Sequence, residues 1–315
     1  MDRCQNPSVK KPANTRRTFR RGFVLAGVVG ATLVTKSPGD AQVFVPSLPD
    51  QRIALVTGST GGLGREVARR IASGGAHVIV HGRNRQRGME LVQEIEREGK
   101  GSARFYPADL ASFAQVREFA EAILRDYGRL DILVNNAGVG SAPNERLLSD
   151  DGHEFRFQVN YLSGFMLTRL LLSRLLESAP SRIVNVSSLA QTPINFEDVM
   201  IEQDFSGGRA YAQSKLAQIM FTFDLSDELT GSGVIVSSLH PATYMDTEMV
   251  RRAGVRPRAT VAEGADAVMQ LVTSSDIESG QFFNGLHPAR ANDQAYDKEA
   301  RRKLRRLSEM LTRVR

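Results

Sequence analysis

Arg52-Ile53-Ala54-Leu55-Val56-Thr57-Gly58-Ser59-Thr60-Gly61-Gly62-Leu63-Gly64 is the stretch from which the rest of the chain can be read. Ile53 to Val56 is a short apolar run rich in β-branched residues, as a strand buried on both faces would be, and it stops at once in a Thr/Ser/Gly turn. A helix pattern follows directly. Glycines at 58, 62 and 64 stand where a chain leaving a strand must turn tightly and let a pyrophosphate approach its backbone, before the N–H groups of the next helix bind that anion. Thr57, Ser59, Thr60 and Leu63 complete this candidate cofactor turn. The spacing is Thr-Gly-x-x-x-Gly-x-Gly rather than the commoner G-x-G-x-x-G, and a glycine turn alone is weak evidence, so the rest of the chain decides.

Beyond the turn, buried-strand runs alternate with amphipathic helices, with no internal repeat and no low-complexity linker. Strands are expected at 53–56, 77–80, 103–106, 132–134, 182–186, 234–238 and 281–283. Helices are expected at 65–73, 86–98, 113–127, about 151–177, about 209–230 and about 293–312. That alternation predicts an α/β fold: a single doubly wound Rossmann-type domain with a mostly parallel six- to seven-stranded sheet and helices on both faces. The expected organisation is a catalytic domain over 42–290 followed by a basic C-terminal helix over 291–315.

The formal charge of +6 is confined to the start of the chain. Residues 1–41 carry eight Lys/Arg against Asp2 and Asp40, and residues 42–315 are balanced, which argues against a nucleic-acid footprint over the body. Thr15-Arg16-Arg17-Thr18-Phe19-Arg20-Arg21 leads into an apolar stretch from Gly22 to Val34, then Ser37-Pro38-Gly39-Asp40-Ala41. A charged segment, a thirteen-residue apolar core and small residues where a signal peptidase reads predict a secretory signal cut after Ala41. Its apolar core is too short to span a bilayer. The arginine pair with Phe19 matches a twin-arginine type, apart from Arg20 in the place of an apolar residue. The expectation is export to a periplasmic or other extracytoplasmic space. The competing reading is a mis-set start, with translation from Val43 or Val45 giving a cytoplasmic protein. The one cysteine, Cys4, lies in the leader, so the body would hold no disulfide or thiol nucleophile. Five scattered histidines show no ligand spacing, and no metal is expected.

At the end of the second strand, a carboxylate would accept from an adenosine ribose 2′-OH, whereas an arginine would meet a 2′-phosphate. The chain has His81-Gly82-Arg83-Asn84-Arg85 there, which favours NADP(H) over NAD(H), with the planar fork of Arg83 as the phosphate partner. Asp109-Leu110, after the third strand, is a candidate adenine contact, with Asp109 as a helix cap the alternative. Tyr211 and Lys215 stand about one turn apart on one helix face. An ammonium there would favour phenolate and draw the tyrosine down from about 10, making a proton donor and acceptor of it. Ser188 closes the fifth strand, where a substrate oxygen could be held.

Thr57-Gly58-x-x-x-Gly62-x-Gly64, Asn135-Asn136-Ala137-Gly138, Asn160, Ser188 and Tyr211-x-x-x-Lys215 together resemble the short-chain dehydrogenase/reductase family over about residues 50–290. The resemblance implies that Tyr211 protonates a carbonyl oxygen or takes a hydroxyl proton, and that Lys215 lowers its pKa and holds the nicotinamide ribose. It further implies that Ser188 orients the substrate oxygen and that Asn160 supports a water-linked relay through Lys215. Ser188 is chosen over Ser187 from the family pattern, and period-2 geometry allows only one of them on the site face. Asn136, Ala137 and Gly138 are expected beside the cofactor.

The long interval from Ser188 to Tyr211 is similar to the retinol-dehydrogenase and protochlorophyllide-reductase-like branch. After the sixth strand the usual Pro-Gly is replaced by His240-Pro241-Ala242-Thr243, leaving Pro241, Thr243 and Thr247 as the nicotinamide-side contacts. Residues 243–262 are expected to form a lid whose Tyr244, Met245, Met249 and Val250 point to an apolar alcohol or carbonyl substrate. The C-terminal helix carries Leu304, Leu307, Leu311 and Val314 on one stripe amid eight basic residues over 298–315. It would either dock on the body or touch a membrane surface. A homodimer through the helices after strands four and five is what the family implies. A non-catalytic dinucleotide-binding sensor, and an epimerase or dehydratase, are the competing functions.

Overall fold

A computed structural model describes residues 51–314. The predicted leader, with its twin-arginine signal, its cut after Ala41 and Cys4, lies outside the described residues. The sheet has eight strands in the order β3-β2-β1-β4-β5-β6-β7-β8. They are β1 Ile53–Val56, β2 His77–Gly82, β3 Ser102–Pro107, β4 Ile132–Asn135, β5 Ser181–Val186, β6 Val234–His240, β7 Gln281–Asn284 and β8 His287–Pro288. All pairings are parallel except β7 with β8. β8 is the strand beyond the expected seven, two residues long and ending in proline, a residue confined to sheet edges because it lacks a donor.

All four residues of β1 are wholly buried, and alternate ones serve opposite cores. Ala54 and Val56 pack under α1 (Gly62–Ser73), α2 (Arg85–Glu98) and α8 (Val261–Thr273). Ile53 and Leu55 pack under α3 (Phe113–Asp126), α5 (Ser163–Glu177) and α6 (Gly207–Glu228). A strand enclosed on both sides must be apolar throughout, which is why the run reads continuously rather than alternating. The chain enters α5 through a short turn, α4 (Phe155–Phe157), and a π-helical turn over Gln158–Leu162. The lid contains a short helix, α7 (Glu248–Arg252), and α9 (Lys298–Thr312) ends the fold.

Two further features depart from the expectation. α8 was not foreseen; Thr260 and Glu263 form a reciprocal capping box at its start. The expected helix over 151–177 begins only at Phe155, because Ser149 and His153 close a tight turn just before it. The C-terminal helix docks on the body. Leu304 is buried, the Ser308 hydroxyl meets Tyr161 at 2.7 Å, and Arg305 reaches Asp224 at 2.6 Å. No helix among the described residues is long and apolar enough to cross a membrane.

Candidate active site

The carboxyl ends of β1, β2, β4, β5 and β6 open into one cleft of about 630 Å³. It lies where the strand order reverses between β1 and β4, the place where open α/β sheets bind ligands. Gly58 has φ +65, and a Cβ there would stand 2.8 Å from the Ala137 Cα, so the turn can be made only by glycine. Gly64 is packed against the Asn136 amide and the Gly58 carbonyl with no room for a side chain. α1 starts from Gly61 with no side-chain cap, leaving its first turn open to an anion. Thr60, Gly62 and Leu63 line the cleft beside Gly58 and Gly64.

Thr57 and Ser59, expected as cofactor contacts, do not line it. Thr57 Oγ1 accepts from the Asn136 and Ala137 amides at 3.0 Å, and Ser59 Oγ donates to the Val56 carbonyl at 2.8 Å. They hold the shape of the turn from inside. The side chain of Asn84 caps α2 by accepting from the Arg87 amide at 3.0 Å, and it too is absent from the lining. Arg87, one turn further on, lines the cleft with Arg83 and was missed. It pairs with Glu248 of the lid at 3.1 Å, while Arg83 lies 3.4 Å from Asp109. Asp109 and Leu110 line the same end; Asp109 Oδ1 accepts from the Ala111 amide, so it shapes its own loop rather than capping a helix.

On the other side, Asn136 Nδ2 donates to the Thr57 carbonyl at 2.8 Å, tying the end of β4 to the glycine turn, and Ala137 and Gly138 border the cleft with it. Ser187 and Ser188 both reach the lining, but their hydroxyls part company. Ser187 Oγ donates to the Lys215 carbonyl at 2.7 Å, whereas Ser188 Oγ accepts from the Ala190 amide at 3.1 Å and lies close enough to the Tyr211 phenol to draw its pKa down. The tyrosine differs from the expectation. Burial pushes its phenol above the ordinary value, outweighing the Ser188 hydrogen bond, and the Lys215 ammonium stands 5.8 Å from the ring centroid. Burial also brings Lys215 down from 10.5 to about 7.

Asn160 is not in the lining. It sits on the π-helical turn behind Gly138, accepting from the Val139 amide at 2.7 Å and donating to the Val139 carbonyl at 3.1 Å and Ser214 Oγ at 2.9 Å. Its hydrogen bonds go to Val139 and Ser214, and those of Lys215 Nζ go to Val186 and Gln218. His240, held neutral by burial with a pKa of about 4, exchanges a 3.0 Å hydrogen bond with Thr243. Pro241, Thr243 and Thr247 line the cleft, and Thr247 also caps α7. Tyr244, Met249 and Val250, within the expected lid, line the cleft together with Val139, Phe155 and Leu189. Tyr244 holds φ +48, an uncommon strain for a non-glycine, at the root of the lid. Among the described residues no group of His, Cys, Asp and Glu could hold a metal ion.

Residues 52–256 match the family described as short chain dehydrogenase. Retinol dehydrogenase 13 of Mus musculus is 36% identical over 304 residues, covering 89% of this chain and 90% of that protein. A crystal structure of a Mycobacterium Paratuberculosis protein matches with a TM-score of 0.71 and 31% identity, over 84% of this chain and 94% of that one. The Pseudomonas aeruginosa RhlG/NADP active-site complex matches with a TM-score of 0.61 and 28% identity, over 74% and 94%.

Proposed function

The chain belongs to the short-chain dehydrogenase family, and we propose that it is an NADP(H)-dependent oxidoreductase acting on an apolar alcohol or carbonyl compound. The observation that carries this reading is that the glycine turn, two arginines and the Ser188–Tyr211–Lys215 group line one continuous cleft. The residues present fit a dinucleotide. The first turn of α1 is open to a pyrophosphate, and Arg83 and Arg87 stand at the end where a 2′-phosphate would be bound. The NADP complex of the P. aeruginosa relative and the retinol dehydrogenase relatives support the choice of cofactor and of an apolar substrate. When bound, the nicotinamide supplies or accepts the hydride.

The protein's part is position and proton transfer. Tyr211 gives its phenolic proton to a carbonyl oxygen in reduction and takes one from a hydroxyl in oxidation, while Ser188 holds that oxygen beside it. Lys215 supplies the charge that makes phenolate accessible and an N–H for the ribose. Asn160 fixes the Val139 backbone that forms the cleft wall. The apolar end with Phe155, Leu189 and Met249 offers the substrate an apolar surface beside the reacting groups.

The test is nicotinamide absorbance with NADPH and then NADH over apolar aldehydes, ketones and alcohols, with three variants run alongside. Turnover is expected to prefer NADPH. Tyr211→Phe and Ser188→Ala should each fall by about 10²- to 10⁴-fold while cofactor still binds. Ser187→Ala should keep most of its rate. A near-normal rate in Tyr211→Phe would sink the role of Tyr211, and saturable binding without turnover on any substrate would favour a sensor or an epimerase.

A further inference from the structure

Lys215 Nζ donates to the Val186 carbonyl and to Gln218 Oε1, each at 2.9 Å. Gln218 stands three residues after Lys215 on α6, is 3% exposed, and does not line the cleft. An ammonium has three N–H donors. Two of them end on these neutral oxygens behind the site, which leaves one for the cleft that Lys215 borders. Among the described residues no carboxylate forms an ion pair with Lys215, and the amide of Asn160 is engaged by Val139 and Ser214. Orientation of the ammonium therefore falls on one backbone oxygen and one side chain.

The helix carrying Gln218 is itself pinned at this point. The Gln218 carbonyl accepts from Thr222 Oγ1, Thr222 Oγ1 accepts from Asn185 Nδ2, and Asn185 Oδ1 accepts from Asn135 Nδ2, each at 2.9 Å. A chain of buried hydrogen bonds thus links the ends of β4 and β5 to the turn of α6 that presents Gln218.

We infer that Gln218 is a positioning residue for Lys215: its side-chain oxygen holds the ammonium against Val186 so that the third N–H faces Tyr211 and the nicotinamide ribose. This role rests on the oxidoreductase reading above. Because an acceptor oxygen favours the charged form, removing it should make Lys215 release its proton at lower pH, and a carboxylate in its place should do the reverse. The other titratable groups facing Lys215 are Tyr211 from α6, raised by burial, and His240 from β6, neutral above about 4. β5 presents only Val186 and two serines there.

The experiment measures the dissociation constant of NADPH by fluorescence from pH 6 to 10 for wild type, Gln218→Met and Gln218→Glu, with Lys215→Met as the control that removes this titration. In wild type, affinity should weaken as Lys215 loses its proton. Gln218→Met should move that weakening down by about one pH unit, or about a tenfold weaker constant at a pH inside the window, and Gln218→Glu should move it up. Superimposable curves for wild type and Gln218→Met, even with a lowered melting temperature, would mark Gln218 as packing and overturn the proposal. Should Gln218→Met not fold, the upward shift in Gln218→Glu decides, and its absence overturns the role equally. No saturable NADPH binding by wild type would instead sink the dinucleotide reading, and this role with it.

Discussion

The buried lysine sets an opposition between stability and chemistry at the scale of one residue. Lys215 has a folded-state pKa of about 7 against 10.5 when exposed, so the cost of burying its charge is fully present below pH 7. Between pH 7 and 10.5 the unfolded chain holds a proton that the fold has released. The unfolded state binds more protons there, so this group makes stability rise with pH across that window. Lys215→Met removes the titration but leaves Val186 and Gln218 without a donor, so the sign of its effect at one pH decides little. The difference in stability, variant minus wild type, should fall from pH 6 to pH 10 by on the order of 3 kcal/mol, with activity lost throughout. Paired melting curves across that range check it, and a difference independent of pH would show that the lysine is not depressed in the fold. Tyr211 shows the limit of a spacing argument: one turn from Lys215 was legible, but the balance of burial against the Ser188 interaction, which leaves the phenol raised, depends on what encloses it.

At the scale of elements, α8 is held by a local device that can be removed without touching the cleft. Thr260 Oγ1 accepts from the Glu263 amide at 3.1 Å and Glu263 Oε2 accepts from the Thr260 amide at 3.1 Å. Thr260→Ala should cost about 1 kcal/mol, Thr260→Ser should recover most of it, and NADPH-linked rate should stay within about twofold. Thermal melts and turnover check it together; a rate that collapses would show that the cap also holds the lid, whose strand contact Met245–Ala259 lies next to it. The Thr-x-x-Glu spacing of this box stands in the sequence at the edge of the segment expected to be lid, 243–262. β1, β2, β4, β5 and β6 were legible as apolar runs, and the first three helices by their apolar period. β8 was not, since two residues carry no period. Within the site, Ser188, Tyr211 and Lys215 are legible in the chain, whereas the inward hydrogen bonds of the Thr57 and Ser59 hydroxyls are not. Arg87 and Gln218 were missed, although each stands three or four residues from a residue already singled out. Which face of α2 or α6 meets the cleft follows from helix register and packing, and spacing alone does not give it.

At the scale of the whole molecule, the basic C-terminal helix covers part of the surface through which pairing with another copy was expected. The helices after β4 and β5, expected to pair between subunits, are α5 and α6, and α9 packs on both. Leu304 is buried among α9's neighbours, Ser308 bonds Tyr161 of the π-helical turn leading into α5, and Arg305 and Arg301 pair with Asp224 and Asp227 of α6 at 2.6 and 3.1 Å. The row facing inward is Leu304, Ser308 and Thr312, with Leu307 and Leu311 only half-buried, while Arg302, Lys303, Arg306 and Met310 remain in solvent. A four-helix pairing through this face would first have to lift α9. That would expose a leucine, costing about 1.5–3 kcal/mol, and strip two buried hydroxyls of each other. The protein should therefore run with the mass of one chain in light scattering at micromolar concentration. Leu304→Asp with Ser308→Asp, which places two carboxylates against the core, should detach the helix and drive self-association through the uncovered α5 and α6. A two-chain mass for the wild type would mean that α9 yields to a partner or that another face pairs. Cross-linking Arg305 and Asp224, after replacing both with cysteine, separates those cases, because only pairing by displacement of α9 is then lost.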